Sequence, residues 1–527
     1  MANLNDQQAA TIECDIAVIG SGMGGSSVAH RLRDSGLRVV VIERGDRLPR
    51  EDANWNAEEV FGAGRYRNAE SWMDGHTGKS FSPGVFYYVG GNTKFFGAML
   101  PRFRERDFGE ISHFEGLSPA WPFPYSFLEP WYTVAEQVFR VHGSADGDPT
   151  EPPRSQPYPF PALLHDPALL PLADSLRKSG LRPFVMPAGV DYGAGGGCIL
   201  CSTCDGYPCK IDAKCDAEMR ALQPALASGR TEILTHTFID RLETSADGGR
   251  LVAASGIRKR GDIKSGSATS GEPIRIEAKH FVLACGAVNT AALLLKSANS
   301  QHPNGIGNGS DLVGRNYMVH NSTFMLAVDP RRRNNVAFQK TLALNDWYLG
   351  TGPGGFPLGN VQMLGKIRAP MVRGMYPWLP TAIARYITDH SVDLYLTSED
   401  LPDRENRVTF DRERNTIKVY WRPNNLRAPD ELMRATKKVL HSAGYPVVFT
   451  RRMGIATNSH QCGTALMGNH PTSSVVSVAG HLHEVENVWL ADSSPFPSSA
   501  AVNPALTIAA NAMRVAENLR QTVTSGK

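Results

Sequence analysis

The sequence predicts an α/β fold in which a Rossmann-like domain, built from two separate stretches of chain, is joined to a second domain with a mostly antiparallel β-sheet. Three observations predict this fold. An apolar run of strand length, Cys14 to Ile19, leads into a glycine-rich turn and an amphipathic stretch. Residues 320–450 are rich in segments that alternate apolar and polar side chains, as antiparallel strands do. After residue 450, a strand-like run, VENVWLAD, and a helix-like run, NPALTIAANAMRVAENL, resume the first pattern.

The glycine-rich turn has the spacing GxGxxG at Gly20, Gly22 and Gly25, and the second apolar strand, RVVVIE, ends at Glu43. In this motif Gly20 permits the tight turn, Gly22 lets a pyrophosphate approach the backbone, and Gly25 lets the helix pack on the strand. The unpaired N–H groups at the start of the helix attract phosphate, and Glu43 is placed to bind the ribose hydroxyls. The motif in its strand–turn–helix context therefore predicts a dinucleotide site, and it leaves FAD and NAD both open.

The 527 residues are enough for more than one domain. We expect residues 1–320 and 450–527 to form the dinucleotide-binding domain, with a flap and a cysteine-rich loop inserted at about 51–230, and residues 321–449 to form the substrate-binding domain. Within these domains the sequence predicts a helix from Tyr132 to Arg140, a turn between two strands at Asp411 to Asn415, and a Gly/Ser-rich turn at Gly261 to Glu272.

Composition excludes several classes of function. A net charge of +3 and 20% charged residues give no case for binding nucleic acid. The chain has no run of about 18 apolar residues, so we expect no membrane span. The first residues, MANLNDQQAATIE, lack a basic region followed by an apolar core, so we expect a cytoplasmic protein.

The stretch after residue 450 carries the candidate catalytic residues. His460 precedes Gln461-Cys462-Gly463-Thr464, and Asn503 precedes Pro504 at the start of the last predicted helix. A histidine with a pKa near neutrality can take the proton of an alcohol while its carbon gives up hydride. An asparagine beside it can hold and orient the alcohol oxygen. A single histidine in a sequence more often has a structural role than a catalytic one. A catalytic role for His460 therefore needs support from other motifs in the chain.

That pattern resembles the GMC-type (glucose–methanol–choline) flavoprotein oxidoreductases over nearly the whole length. The resemblance rests on segments in the same order: the turn from Gly20 to Gly25 with Glu43, Gly90-Gly91-Asn92-Thr93, VLACGAVNT, VGRNYMVH, ENRVTF, and His460 with Asn503. It implies FAD as the cofactor, with His460 as the base and Asn503 as the residue that orients the substrate. It also implies flavin-binding roles for Gly91, Asn92, Thr93 and Asn503, and for Asp492 at the ribityl chain or pyrophosphate.

A narrower resemblance concerns the substrate. The segment GGNTKFFGAMLPRF is similar to the flavin-flanking segment of pyranose oxidases, whose fungal members carry a histidine bonded to the flavin where this chain has Phe95. We therefore expect non-covalent FAD. TCDGYPC and AKCDAE resemble the bacterial branch with sugar 3-oxidases and C-glycoside 3-oxidases, which implies oxidation of a pyranose or its glycoside at C3. Gln362 is a further candidate for binding substrate.

Several alternatives remain open at this point. The reduced flavin would be reoxidised by oxygen, or by a quinone or protein acceptor. The competing hypothesis is a GMC dehydrogenase for another alcohol, such as a steroid or a choline-like compound. A homo-oligomer is compatible with the sequence.

Five of the eight cysteines fall between Cys198 and Cys215. Their spacing would suit thiolate ligands of an iron–sulfur cluster or zinc, but it matches the familiar patterns poorly and has no histidine nearby. A cytoplasmic chain argues against structural disulfides. We expect a tight loop of small, partly buried thiols beside the flavin and no metal.

Overall fold

The computed structural model describes residues 10–259, 271–350, 353–457 and 460–526. The Gly/Ser-rich turn predicted at 261–272 lies outside the described residues except at its end, and so does most of the amino-terminal stretch on which the expected localisation rests. Within the described ranges, no helix is both long enough and apolar enough to cross a membrane. The predicted fold class, a Rossmann-type α/β domain with a second, antiparallel sheet, is confirmed.

The first sheet has seven strands and a parallel centre. Strand Ala10–Ile19 lies between Val39–Ile42 and Glu272–Leu283, and all three are parallel. Glu272–Leu283 also pairs in parallel with Val488–Leu490, so the chain returns to this sheet after residue 450. The remaining strands are Thr231–Leu234, which is parallel to its neighbour, and the antiparallel strands Leu251–Arg258 and Thr237–Thr244.

Two helices cover one side of this sheet. Met23–Leu32 follows the glycine-rich turn and packs against the long helix Ala505–Ser525. Their apolar side chains share one buried cluster with the sheet, because both helices place small or branched residues on the facing stripe. This cluster includes Val28, Ala29, Leu32, Ala512, Val515, Ala516 and Leu519.

The second sheet is antiparallel, and its two faces differ. Its strands, in spatial order, are Val447–Arg452, His320–Val328, Ser391–Glu399, Asn360–Met363, Leu342–Leu344 and Phe184–Val185. One face packs Leu394 and Leu396 against the helix Arg427–Ser442. Because side chains alternate along a strand, the register places polar side chains on the opposite face. These are His320, Ser322, Asn360, Gln362, Tyr395, Thr397 and Glu399.

Smaller sheets join segments that are distant in sequence. The hairpin Arg407–Asp411 and Thr416–Tyr420, with its turn where the sequence predicted one, pairs with Trp72–Asp74 of the flap. Strands of the antiparallel sheet lie on both sides of 321–449, since Val447–Arg452 crosses residue 449 and Phe184–Val185 lies far before 321. Local periodicity carries no information about such pairing. The other short strands are Ser80–Phe81, Ile111–His113, Gly116–Ser118, Val141–Gly143, Phe160–Pro161 and Ala188–Gly189.

One helix differs from its predicted bounds. It runs from Tyr125 to Val138, so the prediction of Tyr132 to Arg140 was wrong at its start. Pro124 caps the helix in an extended conformation and Pro130 lies inside it, where the missing N–H removes one hydrogen bond without ending the helix. The remaining α-helices are Leu170–Lys178, Gln223–Ala227, Ala287–Lys296, Ala369–Met375 and Thr381–Asp389. Short 3₁₀ helices span Asp52–Trp55, Gly91–Lys94, Glu105–Phe108, Pro167–Leu169 and Pro353–Gly355, and single π turns span Glu58–Gly62 and Glu218–Leu222.

Candidate active site

The glycines of the first turn meet different surroundings. Gly20 has φ +104°, and a Cβ there would lie 2.3 Å from the Ala284 carbonyl oxygen. A Cβ on Gly25 would lie 1.9 Å from the Gly20 oxygen, so the helix packs closely on the strand. By contrast, a Cβ on Gly22 would meet nothing within 4 Å. The backbone at Gly22 therefore borders open space at the start of a helix, where the first N–H groups have no intrahelical acceptor.

Glu43 lies beside this turn at the end of its strand. Its Oε2 accepts hydrogen bonds from the Ser21 N–H at 3.1 Å and the Ser21 hydroxyl at 2.6 Å, and its Oε1 accepts from the Gly45 N–H at 2.9 Å. Burial raises the pKa of Glu43, and the Ser21 hydroxyl opposes that shift. Each carboxylate oxygen can accept more than one hydrogen bond, so acceptor capacity remains for a ribose diol.

The segment Gly91 to Thr93 lies against the same turn. A Cβ on Gly91 would be 3.1 Å from the Cα of Gly22. Asn92 Oδ1 accepts from the Phe86 N–H at 2.8 Å, and the Thr93 hydroxyl donates to the Gly90 oxygen at 2.6 Å. These side chains hold the segment in place, so the backbone of Gly91 is what borders the turn.

Asp492 forms the third wall of this space. Its Oδ2 accepts from the Gly286 N–H at 2.9 Å and from the Thr290 hydroxyl at 2.6 Å, and its Oδ1 accepts from the Ser494 N–H at 2.8 Å. A Cβ on Gly286, just before the helix Ala287–Lys296, would meet nothing within 4 Å. Asp492 thus orders a second helix start that opens on free space.

These three segments fit an FAD molecule. Gly20 approaches Ala284, and a Cβ on Gly24 would lie 1.8 Å from the Ala491 oxygen, so the turn, the Gly286 segment and the Asp492 segment adjoin one another. Two glycines in this group, Gly22 and Gly286, have room where the protein supplies no atoms. A pyrophosphate along this cradle would meet backbone N–H groups, and a ribose would meet Glu43.

Phe95 is packed among aromatic rings. Its ring stacks on that of Phe86 with the centroids 3.8 Å apart, and the ring centroids of Tyr66 and Tyr88 lie 6.0 and 6.1 Å from its own. The ring has no nucleophilic atom, so this position offers nothing that could bond to a flavin.

His460 is paired with a second histidine that the sequence analysis had not singled out as a site residue. The two Nδ1 atoms of His460 and His320 are 3.0 Å apart, and His320 Nε2 is 3.0 Å from the carbonyl oxygen of Ser499. Because a carbonyl only accepts, His320 carries its proton on Nε2 and presents Nδ1 as an acceptor. His460 must then donate from Nδ1, which leaves its Nε2 unprotonated. This arrangement sets the tautomer that a proton-accepting histidine needs.

The pKa values agree with this assignment. Burial lowers the pKa of His320 to about 4. Burial, and secondarily the neighbouring His320, hold the pKa of His460 well below its usual value. Both rings are therefore neutral at physiological pH, and His460 can accept a proton.

Asn503 is held from the polar face of the antiparallel sheet. Gln362 Nε2 donates to Asn503 Oδ1 at 3.0 Å, which leaves the Asn503 amide NH₂ to donate elsewhere. The loop before Asn503 is fixed by the Thr397 hydroxyl, which donates to the Ala501 oxygen at 2.7 Å, and by the bond from His320 to Ser499. His460, Asn503 and Gln362 are thus brought together through one sheet face and one loop.

Neighbouring backbone bonds position His460 itself. Met318 and Cys462 exchange two backbone hydrogen bonds of 3.0 and 2.9 Å, and the Ser493 hydroxyl donates to the Gln461 oxygen at 2.6 Å. The residue that sequence reasoning missed, His320, ends the VGRNYMVH segment and begins the strand next to Met318. The only signal for its role was that position, because the contact joins residues 140 positions apart.

Four of the five cysteines in the cysteine-rich loop lie around one cavity, and the fifth does not. Cys198, Cys201, Cys204 and Cys209 line one small cavity together with Lys214. Cys215 is buried away from that lining. Over the part of the chain that the structure describes, no three histidine, cysteine, aspartate or glutamate side chains are grouped as ligands of a metal ion.

Comparison with known proteins agrees with this architecture. Two family models for GMC oxidoreductases match residues 185–322 and 402–512, and a model for FAD-dependent oxidoreductases matches residues 15–115. The chain is 30% identical to 6'''-hydroxyparomomycin C oxidase of Streptomyces lividus, over 95% of this chain and 90% of that protein. It is 25% identical to the fructose dehydrogenase large subunit of Gluconobacter japonicus, over 98% and 99% of the two chains.

Solved structures share the fold. The formate oxidase of Aspergillus oryzae superposes with a TM-score of 0.67 at 14% identity, covering 98% of this chain and 99% of that one. Pyridoxine 4-oxidase superposes with a TM-score of 0.62 at 16% identity, covering 96% and 98%. With the cradle for a dinucleotide already described, the family and fold matches lead to one conclusion: the chain belongs to the GMC oxidoreductase family and is an FAD-dependent oxidoreductase.

Proposed function

We propose that this enzyme oxidises a secondary alcohol of a pyranose or its glycoside, at C3, to a ketone. The observation that carries the proposal is the pair of hydrogen bonds through His320, which leaves Nε2 of His460 as a proton acceptor. The polar sheet face around this pair supports a substrate with several hydroxyl groups.

Each of these residues has a separate role in the proposed reaction. His460 Nε2 takes the proton of the substrate hydroxyl while the carbon that bears it loses a hydride. The Asn503 NH₂ group donates to the same oxygen and fixes its direction, since Gln362 occupies the other end of that amide. His320 holds the imidazole of His460 in the required tautomer. Bound FAD supplies the hydride acceptor, its N5 atom.

The names of the relatives support a polyhydroxylated substrate. Among them are oxidases of hydroxyparomomycin and paromamine, and dehydrogenases of fructose and gluconate. Gln362, with an exposed fraction of 3% and an amide oxygen that accepts no hydrogen bond within the described residues, is suited to bind a second hydroxyl of the sugar.

A second candidate concerns the electron acceptor. Relatives named dehydrogenases, including 2-methyl-1,2-propanediol dehydrogenase, favour an enzyme that passes electrons to a quinone or protein and not to oxygen. In that case the alcohol could also be simpler than a sugar.

The test combines a substrate panel with product analysis. Purified protein is mixed without oxygen with pyranoses, C- and O-glycosides, a steroid alcohol, choline and a propanediol, and bleaching of the flavin absorbance is followed. We expect fast bleaching with a pyranose or glycoside, and NMR of the product should show a ketone at C3. Reoxidation is then followed with oxygen or a quinone. Bleaching only by non-sugar alcohols would contradict the proposal, and a ketone at another carbon would contradict the C3 assignment.

A further inference from the structure

The loop that leads to Asn503 contains a residue in an unfavourable backbone conformation. Ala500 has φ +52°, in the left-handed region where a residue with a Cβ is crowded. Its side chain is buried. Such a conformation persists only where surrounding contacts hold it, and it occurs most often near functional sites. The contacts of its two neighbours are therefore what keep Ala500 in place.

One neighbour, Ser499, is bound on the side of the catalytic histidine. Its carbonyl oxygen accepts the bond of 3.0 Å from His320 Nε2, which fixes the tautomer of His460. The Ser499 hydroxyl donates to the backbone oxygen of Asp400 at 3.1 Å. The position of Ser499 is thus coupled to His460 through His320.

The other neighbour, Ala501, is bound at both of its backbone polar groups. Its N–H donates to the hydroxyl oxygen of Tyr348 at 3.1 Å, and its carbonyl oxygen accepts from the Thr397 hydroxyl at 2.7 Å. Asn503 follows two residues later in the chain. The position of Ala501 therefore determines from where the Asn503 side chain extends.

Tyr348 is itself held by a buried carboxyl group. Its hydroxyl donates to Asp107 Oδ2 at 2.9 Å, so the hydroxyl oxygen is free to accept from Ala501. The same Asp107 oxygen accepts from the Arg104 N–H at 2.7 Å. Burial holds the pKa of Tyr348 well above its usual value, so the proton stays on the hydroxyl. The contact with Ala501 thus comes from a hydroxyl whose direction is fixed.

The part of the chain that carries Tyr348 contacts the loop at a second point. Tyr348 lies in the connection that precedes the strand Asn360–Met363. Gln362, on that strand, donates to Asn503 Oδ1 at 3.0 Å. The loop is therefore held at Ala501 and at Asn503 from one side.

We propose that Tyr348 is a positioning residue: its hydroxyl holds Ala501 and thereby keeps His460 and Asn503 in the geometry that proton abstraction needs. The assignment rests on the proposed function, which gives those two side chains their roles. Without the bond from Ala501 to Tyr348, the strained backbone at Ala500 can relax to a commoner conformation, and both side chains lose their alignment. A misplacement of about 1 Å, even by a change far from the reacting atoms, can cost about 100-fold in rate.

The first test is Tyr348→Phe, which removes only the hydroxyl. Anaerobic stopped-flow with the sugar that bleaches the parent fastest gives the substrate Kd and the rate of flavin reduction separately. We expect reduction to be about 10- to 100-fold slower, Kd to rise by a smaller factor, and the FAD content to be unchanged. The matched control is Tyr125→Phe, because this buried hydroxyl also makes two hydrogen bonds, with Arg102 and Pro153, neither of which belongs to the loop. The control should keep both constants.

Two further variants separate positioning from other roles. Thr397→Val removes the bond to the Ala501 oxygen with little change of shape and should slow reduction in the same range. Ala500→Gly, added to Tyr348→Phe, should restore the rate about 5-fold, because glycine adopts the left-handed conformation without the cost that a Cβ imposes. Ala500→Gly alone completes the double-mutant cycle. A hydroxyl that acted on the substrate directly could not be replaced by a glycine in the loop.

The assignment is wrong if Tyr348→Phe reduces its flavin as fast as the parent. If that variant does not fold, a parent rate in Thr397→Val overturns the assignment in its place. A double variant as slow as Tyr348→Phe would show that the hydroxyl acts otherwise than by holding the loop. Parent rates in both His460→Asn and Asn503→Ala would instead overturn the proposed function, so the two failures are distinguishable.

Discussion

Replacing His460 tests the proton transfer directly. His460→Ala removes the base and also leaves His320 Nδ1 as a buried acceptor without its donor, which costs about 1–3 kcal/mol of stability. His460→Asn is the sharper variant, since its side-chain NH₂ can take the place of Nδ1–H towards His320 while no basic nitrogen remains. A general base contributes about 10²- to 10⁴-fold, or about 2.7–5.4 kcal/mol of transition-state free energy. Both variants should therefore reduce their flavin slower by a factor in that range, with FAD still bound.

The assay is anaerobic stopped-flow at a saturating concentration of the best sugar. Because burial holds the pKa of His460 well below its usual value, the parent rate should stay level as pH falls from 8 to 6 and decline only in more acidic buffer. Asn503→Ala should lose a smaller factor, because Asn503 orients the hydroxyl and carries no proton.

One result would refute this reasoning. If His460→Asn is reduced as fast as the parent, the proton goes to another group. His470, His481 and His483 are the next histidines after it in the sequence, although His483 Nε2 lies 2.9 Å from the Ser474 hydroxyl and His481 packs against Trp489.

Three further predictions follow from the cofactor cradle and the buried histidines. Gly22→Val should lower the ratio of flavin to protein absorbance, because its side chain enters space that the protein leaves open for the cofactor. Gly24→Ala should instead lower the yield of folded protein, because its Cβ would overlap the Ala491 oxygen. Full flavin content in Gly22→Val would contradict the assignment of the cradle to FAD. Acid precipitation should release all FAD into the supernatant, since Phe95 cannot bond to it, and flavin retained in the pellet would be the contrary result. The pKa of His320 is about 4 in the folded protein and about 6.5 in the unfolded chain, so the free energy of unfolding should fall as pH drops from 6.5 to 4. Urea titrations should show a loss of about 3 kcal/mol at pH 4. The loss should be smaller in His320→Gln.

Local sequence signals predicted the parts of the fold that depend on local chemistry. The strand–turn–helix unit at Gly20 to Gly25, the strand ending next to Glu43 and the turn between Asp411 and Thr416 are all present. Each depends on glycine geometry, apolar periodicity or turn residues within a few positions, and these are properties that a sequence displays directly.

The parts that escaped prediction depend on pairings between distant residues. His320 acts on His460 across 140 positions, and no spacing rule relates them. The helix at Tyr125 was placed too late because its internal Pro130 is tolerated by the tertiary structure, which overrides local preference.

The packing of Ala505–Ser525 on Met23–Leu32 has a consequence for biosynthesis. During translation, the glycine turn emerges first, but the strand Val488–Leu490, Asp492 and the covering helix are made hundreds of residues later. Until then the apolar face of Met23–Leu32 and one side of Glu272–Leu283 lack their partners, and such exposed surfaces are prone to aggregate. FAD supplied in the growth medium should therefore help only after release from the ribosome, and expression yield should depend more on chaperones that shield nascent chains than on the supply of flavin.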